Sequence, residues 1–293
     1  DEVQRLGGRI YHTPGLNPAK YPLYLKYMKK LFAEHPEYKI VEAHNGALGV
    51  YALHAAKVNN IPVRIYHAHG ASITKDWKLP LKLFCRSRLT ENITERYTCG
   101  KAAAECYYGK EVVEKGNYDF IPNAIEVDRF LYNPQVRDKM RQQYHLEGKH
   151  VIGHVGRFMA QKNHTFLLDV FAAYKKEDKD AYLVLLGDGE LMETVKNKAK
   201  ELGVADSVLF VGNVGNANEW YQAFDVFMLP SIWEGLPVVG VEAQAADLPC
   251  IFSDNVTKEI GLSDKASFLS LHADMSSWVS EIRQKMQMTQ RVN

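Results

Sequence analysis

The sequence has few cysteines and none placed to act together. Cys85, Cys99, Cys106 and Cys250 form no CxxC pair, and with no secretory leader they read as reduced thiols of a cytosolic chain. No uncharged run is long enough to span a bilayer, which excludes a transmembrane segment of that kind. Charge of one sign is also missing: 36 Lys and Arg stand against 35 Asp and Glu, a net charge of +1, so no global field draws the chain to nucleic acid. Recognition must come from local sites. In a cytosolic chain the Asn-x-Thr sequons at Asn92, Asn163 and Asn255 are coincidental. The dinucleotide fingerprint G-x-G-x-x-G lacks its third glycine, because Met192 stands where it would follow Gly187 and Gly189, and hydride chemistry is disfavoured. Asp178-Lys179-Asp180 imitates a metal-binding Asp-x-Asp but precedes a predicted strand, so it reads as a solvated charge run.

What is present suits a sizeable globular protein. The length of 293 residues and 46% apolar content fit two domains or one large one. Gly7 to His12 reads as turn then strand, Pro22 to Glu34 as an amphipathic helix, Lys39 to Ala43 as a strand, Ala47 to Asn59 as a small-residue helix and Val63 to His67 as a strand. Tyr118 to Ile121 is a further strand, and Val136 to Tyr144 a helix in a polar connection from Glu126 to His150. The domain boundary is placed near residue 125. A second set follows: strands Val151 to Val155, Tyr182 to Leu186, Val208 to Val211, Val226 to Leu229 and Cys250 to Phe252, with helices Asn163 to Lys175, Asn216 to Phe224, a Pro237-initiated segment and Ser276 to Gln290. Strands alternating with helices predict an α/β fold of parallel sheets covered on both faces.

The chemistry collects where strands hand over to helices. Asp225 to Pro249 reads strand, turn, helix, with Glu234 in the turn and Glu242 eight positions on among uncharged neighbours. An ionised carboxylate in such company is costly unless something pairs with it. Both glutamates therefore suit the hydroxyls of a polyhydroxylated ligand, while the amides of Gly235, Leu236 and Val238, at the positive end of the helix opened by Pro237, face an anion. Taken singly, each glutamate also reads as a solvated residue; the pair bracketing Gly-Leu-Pro favours the functional reading. After the Val151 to Val155 strand come Gly156, Arg157 and Lys162, a glycine and two cations that suit a diphosphate. His44, His67 and His69 fall near the ends of two successive strands, with His67 and His69 on one face. A metal site is one reading of them, but no third ligand lies nearby at a recognisable spacing, and it is set aside in favour of buried histidines bonded to backbone. From Thr74 to Arg88, Lys75, Lys78, Lys82 and Arg86 fall at helical spacing beside Trp77, Leu81 and Phe84; this is either a surface for anionic lipid, weakened by Pro80, or a solvated helix face.

Pro-Ser-x-x-Glu-Gly-Leu-Pro-x-x-x-x-Glu-Ala-x-Ala at 230–245 resembles the Glu-x7-Glu signature of the retaining glycosyltransferases of family 4. The resemblance extends through Gly-His-Val-Gly-Arg-Phe at 153–158, Gln-Lys-Asn at 161–163, Gly-Asp-Gly-Glu-Leu at 187–191 and Ile-Pro-Asn-Ala-Ile at 121–125. It implies a GT-B fold, two Rossmann-like doubly wound domains facing a cleft: an acceptor-side domain, residues 1–125, in which the family's first strand and Gly-rich loop are not seen, and a nucleotide-sugar domain, residues 126–293. It implies an enzyme of capsular or exopolysaccharide type that moves a sugar from a nucleotide-diphosphate donor, expected to be UDP-linked, to a hydroxyl of a glycan or lipid-linked glycan, with retention. No cofactor or metal is expected beyond the donor substrate, and the setting is cytoplasmic, with peripheral contact at the inner face of the membrane as an option. Arg157 and Lys162 would hold the diphosphate, Glu234 the donor sugar and Glu242 the ribose diol. The base would pack near Val211 to Val214, and His69, with His67 second, would contact the reacting sugar. The rivals are a nucleotide-sugar epimerase or phosphorylase of the same fold, and a truncated non-catalytic nucleotide-binding module.

Overall fold

The computed structural model describes residues 2–16, 20–70, 73, 77–288 and 291. Its contacts divide it into two units, Asp1–Pro122 and Asn123–Asn293.

In the first unit, α1 (Glu2–Arg5) and α2 (Tyr21–Glu34) precede β1 (Ile40–Ala43), α3 (Val50–Val58), β2 (Val63–Ala68), α4 (Leu79–Ser87), β3 (Glu95–Thr98), α5 (Lys101–Tyr108), α6 (Lys110–Glu114) and β4 (Asp119–Phe120). The strands pair in parallel in the order β1-β2-β3-β4. Pro22 opens α2, where its missing N–H has no partner to lose. Tyr24, Met28 and Phe32 then bury against Ala52, Ala55 and Ala56 of α3, whose small side chains let the two helices approach. One expectation fails. Residues 8–16 hold no strand, because Ile10 is exposed and the alternation is too short to bury a face. Within 74–88 the helix runs over Leu79–Ser87, with Pro80, the residue expected to interrupt it, in its first turn. Lys75 lies outside the described residues.

In the second unit, α7 (Pro134–Gln143), β5 (His150–Val155), α8 (His164–Glu177), β6 (Ala181–Leu186), α9 (Met192–Glu201), β7 (Val208–Gly212), α10 (Ala217–Ala223), β8 (Val226–Leu229), α11 (Val238–Ala245), β9 (Cys250–Ser253), β10 (Ala266–Leu269) and α12 (Met275–Met286) follow in turn. The strands form a parallel sheet in the order β10-β9-β8-β5-β6-β7. Every residue of β8 is buried, as expected of a strand covered on both faces. One face packs on Leu167, Phe171, Val195 and Trp278 of α8, α9 and α12. The other packs on Met140, Trp220 and Ala243 of α7, α10 and α11. From β5 the chain moves outward through β6 and β7, then returns to place β8 on the other side of β5. That reversal opens a crevice at the carboxyl ends of β5 and β8, where ligands of such sheets bind.

Asp225 fastens the start of β8. It accepts from Arg137 at 2.5 Å, Arg141 at 3.2 Å and the Val151 amide at 2.7 Å, joining α7, β5 and β8. Replacing Asp225 with Asn removes the negative charge that faces two guanidinium groups, so we expect a loss of about 2 to 3 kcal/mol. Chemical denaturation followed by the buried Trp220 and Trp278 checks this; an unchanged transition would contradict it.

Candidate functional site at the carboxyl ends of the second sheet

The site is built on glycine contacts. The Gly156 amide donates to the Leu186 carbonyl at 2.9 Å, and the Gly187 amide to the Gly212 carbonyl at 2.8 Å, which stitches together the ends of β5, β6 and β7. Gly187 has φ +128, and a Cβ there would stand 2.2 Å from the Gly156 carbonyl oxygen. Only glycine fits that approach. The result is a pocket of about 500 Å³ lined by Gly156, Arg157, Gly187, Gly189, Asn213 and Val214 among others. Val211 does not line it; its side chain packs into the core, and Gly212 to Val214 carry the wall. The Arg157 side chain is exposed, 3.6 Å from Glu190.

Lys162 ends a 3-10 turn, Ala160–Lys162, and α8 begins at His164 after the left-handed Asn163. The lysine stem lies over Gly156, 3.1 Å from where a Cβ would stand. Its ammonium donates to Glu234 Oε1 at 2.6 Å. Glu234 also accepts from Ser231 Oγ at 2.9 Å, and its other oxygen from Gln161 Nε2 at 2.9 Å. The Ile232 amide donates to the Gln161 carbonyl, so backbone as well as side chains join the loops that follow β5 and β8. Glu234 is therefore not the isolated carboxylate that its neighbours in sequence suggest.

Pro237 leads into α11 with extended backbone. Among the described residues the amides of Gly235, Leu236 and Val238 donate to no protein acceptor. They lie at the positive end of α11, and an anion would complete them. Glu242, half-buried on α11, accepts from Tyr221 Oη at 2.7 Å, so it too has a partner. Burial pushes its carboxyl above the usual range, against the opposing pull of Tyr221 and Arg129.

Beneath Lys162 sits a pair of imidazoles that the sequence reading missed. His154 is fully buried and donates from Nδ1 to the Met228 carbonyl at 2.8 Å, tying β5 to β8. His164 stacks on Phe158 with ring centroids 4.1 Å apart and meets His154 edge-on at 4.6 Å. Burial, then the Lys162 charge, pushes His164 down to about 4; burial holds His154 well below its usual range. Both rings are neutral at pH 7 and leave Lys162 the cation there. The signal for them was weak, since a lone His on an apolar strand reads as core.

The first unit carries the three histidines singled out in the sequence. His67 and His69 stack with centroids 4.2 Å apart. Side chains are among their partners: His67 Nδ1 contacts Glu42 Oε1 at 3.2 Å, and His44 Nδ1 contacts His69 Nε2 at 2.8 Å. His44, on the neighbouring strand end, brings the third ring, so that ring nitrogens of all three lie within 4.8 Å of one another.

Residues 136–262 match the family described as Glycosyl transferases group 1. Putative glycosyltransferase EpsF of Bacillus subtilis is 34% identical over 288 residues, covering 96% of this chain and 75% of that protein. The UDP-Gal:alpha-D-GlcNAc-diphosphoundecaprenol alpha-1,3-galactosyltransferase of Escherichia coli is 28% identical over 243 residues, covering 78% of this chain and 62% of that one. Among solved structures, Anabaena HepE in complex with UDP-glucose superposes with a TM-score of 0.82 at 17% identity, covering 98% of this chain and 80% of that one. With two parallel sheets each flanked by helices, the fold is GT-B: two Rossmann-like units.

The histidine pair sets a pH dependence. A folded-state pKa below the unfolded value means that the unfolded chain takes up the proton first, so stability is whole above about pH 6.5 and is lost as pH falls towards about 4. His164 alone contributes up to about 3 kcal/mol of this loss at 1.36 kcal/mol per pKa unit. Denaturation midpoints at pH 7 and 4.5 should converge for His164→Phe relative to the unsubstituted chain. Parallel shifts in both proteins would rule out the assignment.

Proposed function

We propose, from the premise that this chain belongs to the glycosyl transferases group 1 family and is a glycosyltransferase, that it transfers a hexose from a UDP-sugar to a hydroxyl of a glycan or lipid-linked glycan with retention at the anomeric carbon. The observation that carries this reading is the Lys162–Glu234 pair at the sheet reversal, beside a glycine-walled pocket and three unused amides. Cleavage of the donor loads negative charge on a diphosphate. Arg157, Lys162 and the amides of Gly235, Leu236 and Val238 supply cationic and dipolar groups that stabilise this charge in place of water. Glu234, released from Lys162 as phosphate arrives, turns to the hydroxyls of the sugar. Glu242 takes the ribose diol, since one carboxylate can accept from two hydroxyls. The base packs at Gly212 to Val214. His69 is the residue of the first unit assigned to the reacting sugar.

The choice of uridine is supported by the UDP-glucose complex of HepE and by the name of the Escherichia coli relative. The same name, with its diphosphoundecaprenol, supports a lipid-linked acceptor. Peripheral membrane contact is consistent with the exposed Trp77 and Phe84 beside Arg88 and Lys78. No helix among the described residues is long and apolar enough to cross a membrane.

Calorimetric titration with UDP, GDP and ADP, then with UDP-sugars, tests the reading. Selective binding of UDP is expected, and a folded chain that binds none of the three would overturn it. Glu242→Ala should weaken UDP by about 1 to 3 kcal/mol, the range for a lost hydrogen-bond partner to a charged group. Glu234→Ala should leave UDP affinity equal or tighter, because Lys162 is freed, and should reduce transfer. Equal losses of affinity in both variants would refute this division of roles.

A further inference from the structure

The histidine cluster of the first unit shares His69 with the reading above but takes no part in binding the donor phosphate or ribose proposed there, and its geometry is that of a ligand set. The geometry points to a transition-metal site of the Zn²⁺ class formed by His44, His67 and His69, with Glu42 orienting two of the rings. Each histidine offers a ring nitrogen, and the three nitrogens lie within 4.8 Å of one another. Glu42 Oε1 stands 3.2 Å from His67 Nδ1 and 3.3 Å from His44 Nε2. A carboxylate oxygen only accepts, so the hydrogen bond to Glu42 puts the His67 proton on Nδ1. Its opposite nitrogen, His67 Nε2, is left with a lone pair.

That atom is where the inference rests. His67 is only 7% exposed, and its Nε2 is buried without a hydrogen-bond partner among the described residues. A buried imidazole nitrogen left in that condition is destabilising unless a ligand completes it. His44 Nδ1 and His69 Nε2 share a hydrogen bond at 2.8 Å, so one of them carries a proton; its shift to that ring's far nitrogen frees both lone pairs for a metal at the same point. Zinc binds imidazole nitrogen at about 2.0–2.1 Å in tetrahedral geometry, which sets ligand atoms roughly 3.3 Å apart. Small rotations of the exposed His44 and His69 achieve that spacing and give a metal access from solvent. A carboxylate on the far nitrogen of a ligating histidine is the usual device for fixing tautomer and raising basicity. Three neutral imidazoles select the borderline metals Zn²⁺, Co²⁺ and Ni²⁺ over Mg²⁺ and Ca²⁺. The fourth position is left open, for water or an oxygen ligand.

The sequence hides this set because its members come from two strands. His44 follows β1 and is 25 residues from His69, so no short motif joins them. The parallel pairing of β1 with β2 places Ala43 beside Tyr66 and so brings the two strand ends side by side.

The test uses the whole chain, without a polyhistidine tag, stripped by chelator and titrated with Co²⁺. We expect one Co²⁺ per chain, intense visible bands of four-coordinate geometry, and displacement by Zn²⁺. Glu42→Gln should weaken binding roughly 10- to 100-fold, and His67→Gln and His44→Gln should each abolish the bands. His44 is exposed, so its variant answers the question even if His67→Gln does not fold. A wild-type chain that retains no Co²⁺, or a His44→Gln variant that retains full stoichiometry, would overturn the proposal. No sugar donor enters this assay, so its outcome is independent of the transferase reading.

Discussion

The organising constraint of the second unit is the reversal of strand order between β5 and β8. Parallel strands need crossovers, and a sheet that grows first to one side and then to the other leaves two strand ends with no helix closing the space between them. The loops that leave those ends carry Lys162 and Glu234, 72 residues apart in the chain and 2.6 Å apart in space. Asp225 holds the other end of the same strand pair through α7 and the Val151 amide. Strand order thus determines which side chains meet, and the buried faces of β5 and β8 determine that the order is kept.

Close packing and electrostatics act on the same few residues. Gly187 lets the loop after β6 touch the loop after β5, and Gly156 lets the Lys162 stem lie across the strand end. A side chain at either place would push the cation away from its partner. Below them, His154 and His164 fill space as aromatic rings and stay uncharged, so the site holds its positive charge where the lysine puts it. The buried imidazoles lower acid stability in exchange for that shape.

Much of this was legible from residues. Val226 to Leu229 announced itself as a strand because a run buried on both faces is apolar throughout, whereas Glu95 to Thr98 carries two charges and gave no such sign. Arg157, Lys162, Glu234 and the Gly-Leu-Pro turn were singled out because they follow strands, the rule that locates ligands in such sheets. What sequence neighbours cannot show is partnership across the fold. Glu242 looked solitary beside Val241 and Ala243, yet Tyr221 reaches it from α10. Of the stretch Val211 to Val214, Val211 is a sheet residue whose side chain packs on the core, and the pocket is lined by the residues after it. His44 was seen, but not that strand pairing delivers it to His67 and His69.

The Lys162–Glu234 ion pair has a consequence for selectivity between ligands. At rest the two groups are each other's counter-ion, and neither is free to a passing solute. A small anion that draws Lys162 away leaves the carboxylate with Ser231 and Gln161 alone. A neutral sugar that draws Glu234 away leaves an ammonium without its partner. A molecule with phosphate and hydroxyls in one frame replaces both halves of the broken contact at once. Under the donor reading proposed above, the resting pair works as a coincidence detector, resisting each fragment separately and yielding to the intact conjugate.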